Sequence, residues 1–235
     1  MATFVLVHGA WHGSWCWKRV RRALQSAGHD VFTPTLTGLG ERSHLNSASV
    51  NLDTHIADVG NLLTWEDLSD VVLCGHSYGG CVISGVADRS PHRVRALIYL
   101  DAFVLEDNEC LFDLQAKEQA QSMRRQAATT GEGWKIDPIP AEVFKVNPRD
   151  RAWVNAQCTP HPLATFEQRI WLKGAIARVP KIAHVLATEF QENSLFPACH
   201  ERAKAKGWST HTIPCGHDAM LDLPDDVAAL LLRFA

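Results

Sequence analysis

The chain has 235 residues, 46% of them hydrophobic and 21% charged, which suits one domain with a sizeable core. A net charge of −3 with scattered Lys and Arg argues against a nucleic-acid or anionic-membrane surface, and no apolar run reaches membrane-spanning length. The seven cysteines form no C-x-x-C pair and no basic leader precedes the first apolar run, which suits reduced thiols in a cytoplasmic protein.

Thr3–Val7 reads as a buried strand that opens into His8-Gly9-Ala10. A helix is predicted from about Trp15 to Ala27, closed by Gly28, and a second strand over Asp30–Leu36. The Gly38-Leu39-Gly40 loop does not complete G-x-G-x-x-G, because position 43 is Ser, so no dinucleotide cofactor is implied. Asp53 is the expected N-cap of a helix through Leu63. A third strand over Asp70–Cys74, a helix over Gly79–Arg89 and a fourth strand over Val94–Leu100 follow, with Asp101 at the last strand's carboxyl end. Strands alternating with helices indicate an α/β class with a parallel sheet.

Between residues 106 and 180 the rhythm changes to a polar, Gln-rich and then Pro-rich stretch with scattered aromatics. It reads as a mainly helical lid inserted into a single domain spanning 1–235. Alternation resumes with a fifth strand over Ile182–Thr188, a helix over Ser194–Lys206 and a sixth strand over Ser209–Ile213. The loop Pro214-Cys215-Gly216-His217 follows, then a final helix capped by Asp225 or Asp226 and running through Leu232.

The chemistry centres on Val71-Val72-Leu73-Cys74-Gly75-His76-Ser77-Tyr78-Gly79-Gly80, a strand, sharp turn and helix around G-x-S-x-G. A serine at the tip of such a turn sits in strained backbone, and its neighbours two before and two after must be nearly free of side chain. Ser77 is therefore the candidate nucleophile. Ligand crevices of parallel sheets lie at strand carboxyl ends, where His8-Gly9-Ala10, Ser77 and His217 all fall. No pair of the twelve histidines has credible metal spacing, so no metal is expected.

On F-V-L-V-H-G-A-W-H-G-S-W-C-W at 4–17, G-H-S-Y-G-G at 75–80 and G-H-D-A-M at 216–220, the chain resembles the α/β-hydrolases. More narrowly, it is similar to the compact esterase and hydroxynitrile-lyase branch, with the plant methyl-salicylate and methyl-jasmonate esterases and bacterial pyrethroid-type esterases. The resemblance implies six parallel strands in the order 2-1-3-4-5-6 and a base at His217. It maps the oxyanion hole to the backbone N–H groups of Ala10 and Tyr78, a physically sensible place for donors facing the crevice.

The orienting acid stays open. The family's usual place, the loop after the fifth strand, has no Asp but offers Glu189; Asp101 after the fourth strand is the favoured choice, since a buried carboxylate there needs a partner such as an imidazole. Hydroxynitrile lyases of this branch carry Thr where Gly9 stands and Lys where Asp218 stands, so both positions point to hydrolysis. Trp11 and Phe103 are the candidate pocket residues, whereas Trp15 and Trp17 are read as core.

The expectation is a cofactor-independent serine ester hydrolase acting on small hydrophobic or aromatic esters, with a homodimer left open. A thioesterase, lactonase or C–C hydrolase using the same serine, or a small-molecule receptor on the same fold, remains an alternative.

Overall fold

The computed structural model describes residues 1–190 and 194–235. Its main sheet contains β1 (Thr3–Val7), β2 (Asp30–Phe32), β3 (Val71–His76), β4 (Val94–Leu100), β7 (Lys181–Ala187) and β8 (Ser209–Ile213). Two short strands, β5 (Lys135–Ile136) and β6 (His161–Pro162), pair antiparallel apart from it. The main sheet is parallel throughout, in the order β2-β1-β3-β4-β7-β8. Counting main-sheet strands alone, that is the expected 2-1-3-4-5-6. β3 is buried along its whole length, which explains its apolar run. The chain moves outward from β1 to β2 and then returns to the other side of β1 as β3, so the strand order reverses beside the carboxyl ends of β1 and β3.

Two pairs of packed helices flank the sheet: Leu52–Trp65 with Gly79–Arg89, and Lys18–Ser26 with Pro224–Leu232. Several boundaries differ from the sequence-based expectation for local reasons. β2 stops at Phe32 because Pro34 cannot supply a ladder N–H, and Leu36 N–H instead donates to His8 Nε2 at 3.0 Å. The first helix begins as a 3₁₀ turn over Ser14–Trp17, and Gly28, at φ 84°, ends it in the left-handed conformation expected there. Asn51, not Asp53, caps Leu52–Trp65, through a reciprocal capping box with Thr54. Asp53 sits in the first turn and pairs with Arg89. Asp225 and Asp226 likewise fall in the first turn of the last helix, after Pro224, where they complement the helix dipole without capping it.

The stretch from 106 to 180 is less helical than expected. Its α-helices are Leu111–Leu114, Lys117–Thr129, Arg151–Gln157 and Ala164–Glu167, joined by the β5–β6 pair and irregular backbone. The prolines at 138, 140, 148, 160 and 162 account for the interruptions, since each removes an N–H donor. Two buried acids fasten this stretch to the body. Asp88 accepts from the N–H groups of Lys173 and Ala175 at 2.7 and 2.6 Å. Asp150 takes a two-pronged contact from Arg19, both arms 2.7 Å.

Candidate active site

The turn after β3 is tight enough that its composition is forced. A Cβ on Gly75 would lie 2.5 Å from the Gly79 carbonyl oxygen, so only glycine lets strand and helix approach this closely. Ser77 at the tip has φ 54°, a strained value for a side-chain-bearing residue. Its backbone is held on both sides: Ser77 N–H donates to Leu100 O at 3.3 Å, and Phe103 N–H donates to Ser77 O at 3.1 Å.

Asp101 follows β4, also at positive φ (42°), and is fully buried. Its N–H donates to Val185 O at 2.7 Å, and its Oδ1 accepts from Ala187 N–H at 3.0 Å. Its Oδ2 faces His217 Nδ1 at 2.6 Å. The alternative acid, Glu189, is exposed, and its N–H is bonded to Cys215 O; it takes no part in this contact.

His217 is brought in by the loop after β8 and is held by its own N–H, which donates to Phe144 O at 2.9 Å. The ring stacks on Phe196 at 4.7 Å and 15°. Burial strips water from the imidazole and lowers its pKa to about 4; Asp218 opposes that shift and His12 adds to it. Burial also raises Asp101 above the usual carboxylate range, while the Ala187 N–H pulls it back. With its charged form disfavoured, the imidazole carries a single proton near neutral pH; on Nδ1 that proton faces Asp101 Oδ2, which leaves Nε2 an unprotonated base.

Ser77, His217, Ala10, Tyr78, Trp11 and Phe103 all line one cavity of about 80 Å³. Among the described residues, the buried N–H groups of Ala10 and Tyr78 have no hydrogen-bond acceptor. Two buried amides left open beside a serine are a ready anion-stabilising pair. The remaining wall is largely apolar, including Leu111, Met123, Ile139 and Phe166 from the 106–180 stretch. Trp17 is fully buried, as expected of a core residue, whereas Trp15 is only partly buried, packed on His12 and the exposed Trp153 at the edge of the core.

Several supporting residues carry no signal in sequence spacing. His161, from β6, accepts from Trp11 N–H at 3.2 Å and packs against Phe166, which fixes the 106–180 stretch onto the loop after β1. Tyr78 hydroxyl donates to His55 Nδ1 at 2.8 Å, while His55 Nε2–H donates to Thr37 O. Among the described residues one cluster brings metal-ligand types together: His76, His217 and Asp218, within 4.8 Å. Hydrogen bonds already engage its imidazoles, His76 Nε2 with His217 O and His217 Nδ1 with Asp101.

The alpha/beta hydrolase family model matches residues 4–230. The chain belongs to that family. A carbendazim hydrolyzing esterase of Nocardioides sp. (strain SG-4G) is 43% identical over 238 residues, 98% of each chain. Methyl jasmonate esterase 1 of Vitis vinifera is 33% identical over 138 residues, covering 57% of this chain and 51% of the relative. An extracellular alpha/beta-hydrolase from a Paenibacillus species has the same fold, with a TM-score of 0.87 at 22% identity over 100% of this chain and 99% of that one. No helix among the described residues is long and apolar enough to cross a membrane.

Proposed function

We propose that this alpha/beta hydrolase is a serine carboxylic-ester hydrolase acting on small hydrophobic or aromatic esters through an acyl-serine intermediate. The observation that carries the reading is the buried 2.6 Å contact of Asp101 with His217 Nδ1, beside a strained Ser77 that shares His217's cavity. Ser77 Oγ attacks the ester carbonyl carbon as His217 Nε2 takes its proton. The Asp101 carboxylate stabilises the imidazolium that forms, and the Ala10 and Tyr78 N–H groups hold the oxyanion. Collapse of the tetrahedral species expels the alcohol, which takes its proton from His217. Water then gives a proton to Nε2 and releases the acid by the same steps in reverse order.

The relatives named for hydrolysing carbendazim and methyl jasmonate favour ester substrates with a compact apolar body. The 106–180 stretch acts as a lid in this reading. The cavity is much smaller than the roughly 300–1,000 Å³ of ordinary ligand sites, so its apolar side chains move aside to admit substrate. Turnover of a short-chain p-nitrophenyl ester by wild type and by Ser77→Ala tests the assignment. Wild-type release of p-nitrophenol and loss of it to background in Ser77→Ala is the expected result. Equal activity in the two proteins would overturn it.

A further inference from the structure

Two residues after Ala10 stands His12, one before Ser77 stands His76, and one after His217 stands Asp218. The three come from separate strand ends yet meet in one cluster that is buried to 2% exposure or less. His76 Nε2–H donates to His217 O at 3.0 Å, a direct tie between the nucleophile strand and the base loop. Asp218 Oδ2 accepts from His12 Nε2 at 3.0 Å, a tie between the base loop and the loop after β1. Asp218 Oδ1 lies 3.8 Å from His76 Nε2.

His12 has a second partner. Its Nδ1 lies 2.8 Å from Ala10 O, so both ring nitrogens face acceptors, and only the imidazolium has a proton for each. Burial works against that charge, but the Asp218 carboxylate and the Ala10 carbonyl together outweigh it and raise His12 above its ordinary value. The Trp15 ring lies flat over the imidazolium at 5.0 Å and 21°. His12 and Asp218 act oppositely on the His217 imidazole, so a paired His12–Asp218 fixes its surroundings while adding little net charge.

We propose that His12, Asp218 and His76 are positioning residues, a buried ion-paired clamp that holds the loops bearing Ala10, Ser77 and His217 in one arrangement. This rests on the serine-hydrolase reading above. Acyl transfer needs the oxyanion donor, the hydroxyl and the base at fixed separations, and a displacement of about 1 Å lowers rate by roughly 10²-fold. Hydrogen bonds to β4 and Phe144 hold Ser77 and His217 from one side. The clamp ties them from the other and adds the loop of Ala10.

The test combines kinetics on a p-nitrophenyl ester with ¹⁵N NMR of the histidine rings. Asp218→Asn, His12→Gln and the double variant are each checked for folding by thermal melting. In each single variant kcat should fall about 10- to 100-fold while KM stays within about twofold, and the double variant should be no worse than the poorer single one. In wild type at pH 7, His12 should show two protonated ring nitrogens and His217 one unprotonated nitrogen. A folded Asp218→Asn with kcat near wild type, or losses that simply multiply in the double variant, would overturn the clamp. So would an unprotonated His12 nitrogen in wild type, a result that stands even where a variant does not fold. Undiminished activity of Ser77→Ala, run in parallel, would instead bring down the hydrolase reading.

Discussion

The floor and the roof of the cavity are built on different principles. On the floor, Ser77, Asp101 and His217 stand at strand ends, and each has its own N–H hydrogen-bonded to the carbonyl of another element. Ser77, Asp101 and Trp11 also hold strained positive φ values, which only heavily determined surroundings sustain. The roof, from the 106–180 stretch, is short helices and irregular backbone that present Leu111, Met123, Ile139 and Phe166 to the cavity. In the proposed reaction, geometry is thus fixed by backbone, whereas substrate fit is left to replaceable apolar side chains. Floor substitutions should lower kcat for every ester, and roof substitutions should redistribute KM among esters.

The largest effect expected, after loss of the serine itself, is that of Asp101→Asn. An amide there still meets His217 Nδ1 but favours the wrong tautomer and no longer stabilises the imidazolium, so kcat should fall by roughly 10³–10⁴-fold. Glu189→Gln in the same assay should stay within about twofold, because an exposed Glu189 makes no contact with the imidazole. A large loss in Glu189→Gln with a small one in Asp101→Asn would reverse the choice of acid. The acid limb of the wild-type rate profile is a linked measurement. Activity needs unprotonated Nε2 and is lost as pH falls through the His217 pKa, lowered by burial to about 4. The limb of kcat/KM should therefore lie well below the ordinary histidine value of about 6.5.

How far the sequence disclosed this site follows the same division. The elbow was legible because local sterics force its glycines, β4 because its apolar run ends at a clear break, and β8 because its β-branched residues lie between Gly207 and Pro214. Asp101 could be favoured over Glu189 but not settled, since its partner lies 116 residues away and only the sheet register joins them. Asn51 was missed as a cap because Asp53 has equal propensity, and the decision rests on the reciprocal bond with Thr54. Nothing in the sequence spacing marks His12, because the Asp218 it contacts is 206 residues distant. The roof was least legible. Its prolines announce interruption but not where each short helix restarts.

Gly9→Ala tests the floor with a single methyl. A Cβ at Gly9 would lie 2.8 Å from Ser77 Cβ and 3.0 Å from His76 Nδ1, both on the rigid elbow, so the loop carrying Ala10 must retreat. The Ala10 N–H would then miss the developing oxyanion, and kcat should fall about 10²-fold with a smaller change in KM. Gly60→Ala is the matched control. It lies within the helix Leu52–Trp65 with nothing within 4 Å of the new Cβ, and should leave kinetics unchanged while stabilising the fold by about 0.5–1 kcal/mol. Unchanged kinetics in Gly9→Ala would mean that the floor yields more than its hydrogen bonds suggest.

Met123 offers the smallest effect and the sharpest contrast. It lies on Lys117–Thr129, lines the cavity, and is only partly buried. Its unbranched thioether adapts to the shape beside it and makes favourable contacts with aromatic rings. Met123→Ala should therefore raise KM about three- to tenfold for a bulky aromatic ester, equivalent to about 1 kcal/mol of lost contact. An acetyl ester too small to reach the roof should keep its KM, and kcat should hold for both substrates. Parallel kinetics on the two esters read the contrast directly. If kcat fell for both, the roof would be helping to hold the reacting groups, and the division between rigid floor and adaptable roof would fail at this helix.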